Sequence, residues 1–358
     1  MSVITKYILK KYLLNFIVVL ISLQLFFVGM DFLQNSKDLP DSANLQLLYI
    51  MYNSFFTLTL TLPLSLVFGW IVTLVIFVKN NELVAFSSLG AKRINIYLPA
   101  VIVSFILLFI LIAIQTTPLA YSYEQKKKIL DGNYFSSTKS DIFVKYDDNF
   151  IYFKKLHPLR KEAEDIHIYK VKDRDIVETI IAKKAYFQNN KWYVVDAKIV
   201  KKPQEMNFEN SKLEVKYEKF LNTLEGFKPK ILDNVYKEKS NFSIVDAVSA
   251  LSLLQKQGVN TDKIRAAIYY ELFTPFFILP LIMIIFIFTS LNRRFFNMGA
   301  YTSLTIFGTL VVWGVFFMLY KFSNSGVIKP EISLLLPLVI WFLSTYLIYK
   351  KRKEAWLR

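Results

Sequence analysis

Long uncharged runs alternate along this chain with short clusters of Lys and Arg. A bilayer core about 30 Å thick needs roughly 20 apolar residues at 1.5 Å each. Six runs free or nearly free of Asp, Glu, Lys and Arg approach that length: 12–30, the second half of 39–78 from about residue 53, 94–123, 272–292, 295–320 and 332–349. Each is predicted to be a membrane helix. Pro63, Pro99, Pro118, Pro275, Pro280 and Pro337 lie in or beside these runs, which predicts kinks whose freed carbonyls neighbouring helices resatisfy. The first run follows Lys6, Lys10 and Lys11. It exceeds a signal-peptide core and no Ala-x-Ala-like site follows it, so it is read as a retained helix.

Between the third and fourth runs the period changes to two. Ile142, Val144 and Tyr146 alternate, Asp147-Asp148-Asn149 makes a turn, and Ile151 and Phe153 resume the alternation, which is a hairpin pattern. Asn189-Asn190 predicts a second hairpin, joining Ala185-Tyr186-Phe187 to Trp192-Tyr193-Val194-Val195. Further runs at 166–171 and 213–217 complete an antiparallel, all-β reading of the insert. One apolar sheet face is either a lipid or partner surface or an ordinary solvated face. After the strands, Ser243-Ile-Val-Asp246 resembles a capping box, and Ile244, Val248, Leu251 and Leu254 make one stripe that ends at Gly258. Thr261 is placed to cap a further helix leading through Lys263 and Arg265 into the fourth run. The predicted organisation is therefore 1–123, three membrane helices; 124–240, the β domain; 241–268, connecting helices; and 269–358, three more membrane helices and a basic tail.

Composition sharpens this. The 358 residues are 54% hydrophobic and carry 44 Lys and Arg against 28 Asp and Glu, a net charge of +16. Thirteen of the basic residues fall at one set of helix ends: Lys6, Lys10, Lys11, Lys79, Lys92, Arg93, Arg293, Arg294, Lys350, Lys351, Arg352, Lys353 and Arg358. The other short loops hold Lys37, Lys321 and Lys329. Positive residues near span ends stay in the cytoplasm, so both termini are predicted cytoplasmic and the β domain lies on the far side. The basic excess is a topology signal, and nucleic-acid binding is not expected.

Much chemistry is missing. There is no cysteine, and His157 and His167 read as surface side chains, so no metal site is expected. None of the ten glycines lies in a phosphate-cradling G-x-x-x-x-G-K-[ST] string, and no nucleophile or paired-carboxylate arrangement stands out. Neither an enzyme nor a cofactor is expected. Asp31 and Glu271 read as interfacial residues at span ends. The loop after the second span is the most informative piece: Asn80 or Asn81 can cap a short helix, Glu82 suits its positive end, Leu83, Phe86 and Leu89 share a face, and Gly90 can stop it. Such a helix either floats in the interface or docks a cytoplasmic partner.

The stretch Glu82-Leu-Val-Ala-Phe-Ser-Ser-Leu-Gly90, set in a six-span chain with a β domain between spans three and four, resembles the LptF/LptG (YjgP/YjgQ) lipopolysaccharide-export permeases. The resemblance extends to Asp148-Asn-Phe-Ile-Tyr152, Lys191-Trp-Tyr-Val194, Leu253-Leu-Gln-Lys-Gln-Gly258 and Phe273-Thr-Pro275, and is closer to the LptG branch. It implies an α-helical polytopic protein of the Gram-negative inner membrane, with six transmembrane helices and an inserted, jellyroll-like periplasmic domain. It also implies one permease subunit of an ABC transporter that extracts lipopolysaccharide from the inner membrane for export to the outer membrane. The implied partners are a cytoplasmic ABC ATPase dimer, a paralogous six-span permease, a bitopic jellyroll protein and a periplasmic bridge.

The family's coupling helix maps onto 81–90, which assigns Glu82, Leu83, Phe86, Leu89 and Gly90 to ATPase docking and favours the partner reading of that loop. Spans one and five line the family's gate, which makes Phe26, Phe27, Phe316 and Phe317 candidate acyl-chain contacts; ordinary helix packing is the alternative. Lys37, Lys126, Lys127, Lys128 and Lys321 are candidate cations for lipid phosphates, with interfacial snorkelling as the alternative. The basic residues of the LptG branch's first span are unmatched, since Val28, Gln34 and Asn35 stand in that region. The other readings are an ABC permease for another lipid or lipoprotein, and a non-transporting scaffold with a periplasmic β domain.

Overall fold

The computed structural model describes residues 3–132, 139–146, 149–157, 160–172, 175–203, 213–227, 243–255, 260–290, 294 and 296–357. They group into two compact units: Met1–Gly132, Asn241–Leu251 and Asn260–Arg358 form one, and Asn133–Ser240 with Ser252–Val259 the other.

The first unit is helical: α1 Val3–Gln34, α2 Ala43–Lys79, α3 Glu82–Ser88, α4 Ile94–Gln115, α5 Ser122–Leu130, α6 Ile244–Gln255, α7 Asp262–Leu272, α8 Ile278–Phe288, α9 Met298–Asn324 and α10 Leu336–Leu357. Among the described residues five helices are long and apolar enough to cross a membrane, Val3–Gln34, Ala43–Lys79, Ile94–Gln115, Met298–Asn324 and Glu331–Arg352. Asp262–Leu272 with Thr274–Phe288, bent by 44°, make a sixth when the pair is taken as one broken span. The fourth expected run is thus redrawn: it starts at Asp262 and breaks before Pro275, which opens a 3-10 turn over Thr274–Phe277. The third expected run is also shortened. It ends at Gln115 because Thr117, preceding Pro118, is extended (φ −90°, ψ 170°), as the proline ring demands of its neighbour.

α2 is the centre of this unit. In its most apolar 18-residue stretch 78% of residues are buried, against 17% in α1 and 11% in α9. The α1–α2 seam is built from small and polar residues. Asn15 Nδ2 donates to Thr73 Oγ1 at 2.9 Å, Gln24 Nε2 to Thr61 Oγ1 at 3.0 Å, and Thr57 Oγ1 to Gln24 Oε1 at 2.8 Å. Tyr12 hydrogen-bonds with Ser104 of α4 at 2.8 Å and donates to Leu66 O at 3.1 Å. Two indoles fasten the broken span: Trp70 Nε1 donates to Ile282 O at 3.2 Å and Trp341 Nε1 to Phe277 O at 3.1 Å. Helix starts differ in detail from expectation. Thr261 makes no side-chain cap and Asn260 Oδ1 takes the Asp262 amide at 2.8 Å instead, whereas Ser243 Oγ accepts from the Asp246 amide at 3.4 Å.

The second unit is a six-stranded antiparallel sheet in sequential order: β1 Lys139–Tyr146, β2 Asn149–His157, β3 Glu162–Lys172, β4 Asp175–Gln188, β5 Lys191–Lys201 and β6 Glu214–Thr223. The inserted all-β domain is therefore a meander among the described residues. Asn189 and Asn190 both have positive φ (47° and 63°), as a two-residue hairpin turn requires. Ile151, Phe153, Ile166, Ile168, Trp192 and Val194 form its core, and Trp192 Nε1 donates to Phe227 O at 2.7 Å. The expected turn at Asp147-Asp148, the stop at Gly258, and Arg293 and Arg358 lie outside the described residues.

The seam fixes a prediction. A Cβ on Gly69 would lie 2.7 Å from Phe16 Cα and 2.9 Å from Phe16 N, contacts with backbone that cannot rotate away. Gly69→Ala is expected to push α1 from α2 and cost about 1–3 kcal/mol, read as a lower thermal midpoint in detergent; an unchanged midpoint would refute the close approach.

Candidate functional site

Two polar clusters stand out, one at each end of α1. At the α2–α3 corner, Asn81 precedes α3 in a left-handed conformation (φ 57°) and its side chain makes no capping bond. Asn80 supplies the polar contact instead, its Nδ2 donating to Glu82 Oε1 at 3.0 Å. At the other end the Gly90 amide donates to Ser87 O and the Ala91 amide to Phe86 O, both at 3.0 Å. These paired bonds require the positive φ that Gly90 adopts (75°).

Leu83 and Phe86 are buried. The Phe86 ring meets Phe77 edge-on at 5.6 Å and Tyr7 at 6.2 Å, which seats α3 on the start of α1 and the end of α2. Leu89 does not share that face. It is 73% exposed because α3 ends at Ser88 and the Gly90 turn redirects the chain before another helical turn forms. Val84 is exposed beside it. Against Phe86 lies an open cavity of about 360 Å³ lined by Val3, Ile4, Tyr7, Glu82, Ala85 and Phe86. Glu82 Oε2 is buried, and the Tyr7 side chain, which lines the same cavity, interacts with this carboxylate. Just beyond α3, partial burial and then the Arg352 guanidinium hold Arg93 below its ordinary pKa.

At the far end of α1 the lysine triplet divides. Lys126 is only 6% exposed; its Nζ lies 2.7 Å from Asp31 Oδ1 and 3.1 Å from Asn53 Oδ1, over the rings of Tyr49 (5.6 Å) and Phe56 (5.5 Å). Tyr49 donates to the other Asp31 carboxylate oxygen, and Asn35 Nδ2 donates to Tyr49 Oη at 3.1 Å. Asn53 Nδ2 is buried with no partner among the described residues. Asp31, read from sequence as merely interfacial, is the hub of this cluster. Lys128 is paired to Glu124 at 3.3 Å, and Lys127 and Lys37 are exposed.

The aromatic candidates also divide. Phe26 is exposed and packs edge-on against the half-buried Phe27 at 5.5 Å. Phe316 is buried against Phe277 at 5.6 Å. Phe317 stacks on Trp313 at 5.6 Å, with Lys321 Nζ 5.3 Å from its ring, so those three form one outward group on α9. Sequence reasoning passed over Tyr7, Tyr49 and Asn53. The polar amide inside an apolar run was a usable signal for Asn53; the tyrosines carried none.

Over residues 6–351 the chain matches a family model described as lipopolysaccharide export system permease LptF/LptG. That one description covers both branches and does not separate LptG from LptF. Comparison with curated proteins finds no match.

The Lys126 cluster predicts its own double-mutant pattern. Lys126→Met leaves Asp31 and Tyr49 facing each other without the cation and is expected to cost about 2–3 kcal/mol, below the full buried-pair range because Asp31 is partly solvated. Lys126→Met with Asp31→Leu is expected to recover part of that loss. Thermal unfolding in detergent reads both, and an additive double mutant would refute the coupling.

Proposed function

The chain belongs to the lipopolysaccharide export system permease LptF/LptG family of multi-pass inner-membrane proteins, and from that premise we propose that it is one permease subunit of an ABC transporter that lifts lipopolysaccharide out of the inner membrane. The match across residues 6–351 carries this reading. In it, both termini and α3 are cytoplasmic and the β unit is periplasmic, in line with the thirteen basic residues at one set of helix ends.

α3 is the contact for a separate ATPase dimer. Its inner residues, Leu83 and Phe86, hold it to α1 and α2, while Leu89 and Val84 present apolar surface outward. Glu82 offers a carboxylate at the rim of the cavity, matched to a basic side chain of the partner. Gly90 sets the exit angle of the chain.

α1 and α9 carry the lipid path and the contact with a paralogous six-span permease, because both leave most of their apolar surface outside the bundle. Phe26, Phe27 and Phe317 then contact acyl chains, whereas Phe316 holds α9 to Phe277. Lys37, Lys127 and Lys321 are the cations available to lipid phosphates. Lys126 and Lys128 serve instead through the carboxylates they already hold. The β unit passes lipid on to a bitopic jellyroll protein and a periplasmic bridge.

Affinity purification of the tagged chain from mild detergent, with mass spectrometry of proteins and lipids, tests the whole reading. An ABC ATPase, a second six-span permease and lipopolysaccharide are expected; the chain alone with bulk phospholipid overturns it. Within the complex, Glu82→Lys is expected to abolish lipid export while the protein stays folded in the membrane and retains its lipid. Normal export by a stable Glu82→Lys protein refutes the coupling role. Lys127→Ala with Lys321→Ala is expected to weaken binding of phosphorylated lipid A and to leave binding of the dephosphorylated form unchanged; equal weakening of both would remove these lysines from phosphate recognition.

A further inference from the structure

The helix ends near α3 carry a large excess of positive charge. Residues 1–11, 79–94, 289–298 and 349–358 contain thirteen Lys and Arg against two acids, Glu82 and Glu354. Glu82 already accepts from Asn80 and interacts with Tyr7, and the Glu354 side chain lies outside the described residues. At one place the fold concentrates this charge. α4 and α10 both pack on α8, and they meet each other through Tyr97 and Tyr349, whose rings lie edge-on at 6.4 Å. Tyr97 also rests on Phe286 of α8 at 5.3 Å. Arg93 stands one turn before Tyr97 and Arg352 one turn after Tyr349, so the tyrosine contact brings both guanidiniums to the mouth of the same seam. The Arg352 guanidinium carbon lies 4.9 Å from the ring centre of Phe288, the last residue of α8. That contact fixes Arg352 in place while leaving it exposed. Arg93 is half-buried, and its burial and the Arg352 charge both act against its cation.

Two like charges that packing holds together repel unless an anion lies between them. Beside them Ile94 and Leu98 on α4, and Leu343 and Leu347 on α10, present exposed apolar side chains. We infer that Arg93 and Arg352 bind the phosphate headgroup of an anionic glycerophospholipid, whose acyl chains run along α4 and α10. Guanidinium forks match phosphate oxygens, and basic clusters between helix ends at a membrane surface select anionic headgroups. A free phosphate would use the two arginines alone, whereas a lipid also covers the apolar flanks. Bound there, the headgroup ties the start of α4 to the end of α10. The inference takes from the functional reading only that the chain lies in a bilayer, and this lipid is a resident one and not the exported cargo.

The full chain, purified in uncharged detergent and stripped of lipid, is tested with phosphatidylglycerol and phosphatidylethanolamine. Phosphatidylglycerol is expected to raise the thermal midpoint and phosphatidylethanolamine to leave it unchanged. Arg93→Gln with Arg352→Gln is expected to weaken phosphatidylglycerol binding, counted by native mass spectrometry, about thirtyfold, as for two cations on an anionic headgroup at the membrane surface. Lys350→Gln with Lys351→Gln removes the same charge beside the seam and is expected to leave that binding nearly unchanged. Without lipid the arginine variant is expected to melt no lower than the parent, because the repulsion leaves with the charges; a lower midpoint makes the pair structural and overturns the inference. Equal weakening by both double variants, equal binding of the two lipids, or displacement of phosphatidylglycerol by millimolar inorganic phosphate also overturns it. An ATPase that copurifies with the parent and is lost from the arginine variant while phosphatidylglycerol stays bound assigns the pair to a protein partner instead. Copurification of lipopolysaccharide is read separately, so the lipid site and the export reading stand or fall independently.

Discussion

Lipid offers no hydrogen-bond partner, so a polar group that a membrane helix carries is costly unless it finds one inside the protein. The α1–α2 seam is where this chain meets that demand. Asn15, Gln24, Thr57, Thr61 and Thr73 satisfy one another across it, and Gly69 lets the two backbones approach closely enough for those bonds to form. Small residues and short polar bonds are the currency of helix association where no hydrophobic difference exists between lipid and side chain. With α1 held, α2 can be buried on its other sides by α4, the broken span and α9.

The same helix joins the two candidate clusters. α1 is 32 residues long, about 48 Å at 1.5 Å per residue. Tyr7 near its start touches Phe77 and Phe86, and Asp31 near its end holds Lys126 of α5. Phe86 of α3 thus packs on the start of α1, and the end of α1 holds Lys126 of α5. Replacing Lys126 by an apolar residue would leave α1 and α5 adjacent without the directional tie. The bent pair of α7 and α8 has the opposite character. The segment after its break is held by two indoles and the helix before it by the Arg265–Glu331 bond at 2.5 Å, so each arm of the kink is braced.

Much of the architecture was legible because its signals are periodic. Apolar length marked the spans, alternation marked the strands, and Asn189-Asn190 and Gly90 marked turns that only a few residues can make. What escaped was decided by position in space. Lys126, Lys127 and Lys128 are identical letters in a row, yet one is sealed on a carboxylate, one is exposed and one is paired along its own helix. Leu89 has the spacing of a face it does not join, because the helix ends one residue earlier. Asp141, Asp165 and Asp196 lie in unremarkable strand sequence, and only their left-handed backbone reveals them.

The β unit also answers a question of packing. A flat meander has two faces, and burying either needs a second layer. Here the buried positions of β2, β3, β4 and β5 change parity around Lys154, Asp165, Lys183 and Asp196: Phe153 is followed inward by Leu156, Ala163 by Ile166, Ala182 by Ala185 and Val194 by Ala197. Residues on both sides of that row therefore share one interior with Trp192 and Phe153, while β6 leaves Glu214–Phe220 exposed. Asp165 and Asp196 take left-handed backbone in the row (φ 50° and 53°), which Asp tolerates better than most residues, and Lys154 pairs with Asp165 across it at 3.2 Å. Opposite charges facing across adjacent strands favour that closure, where like charges would oppose it.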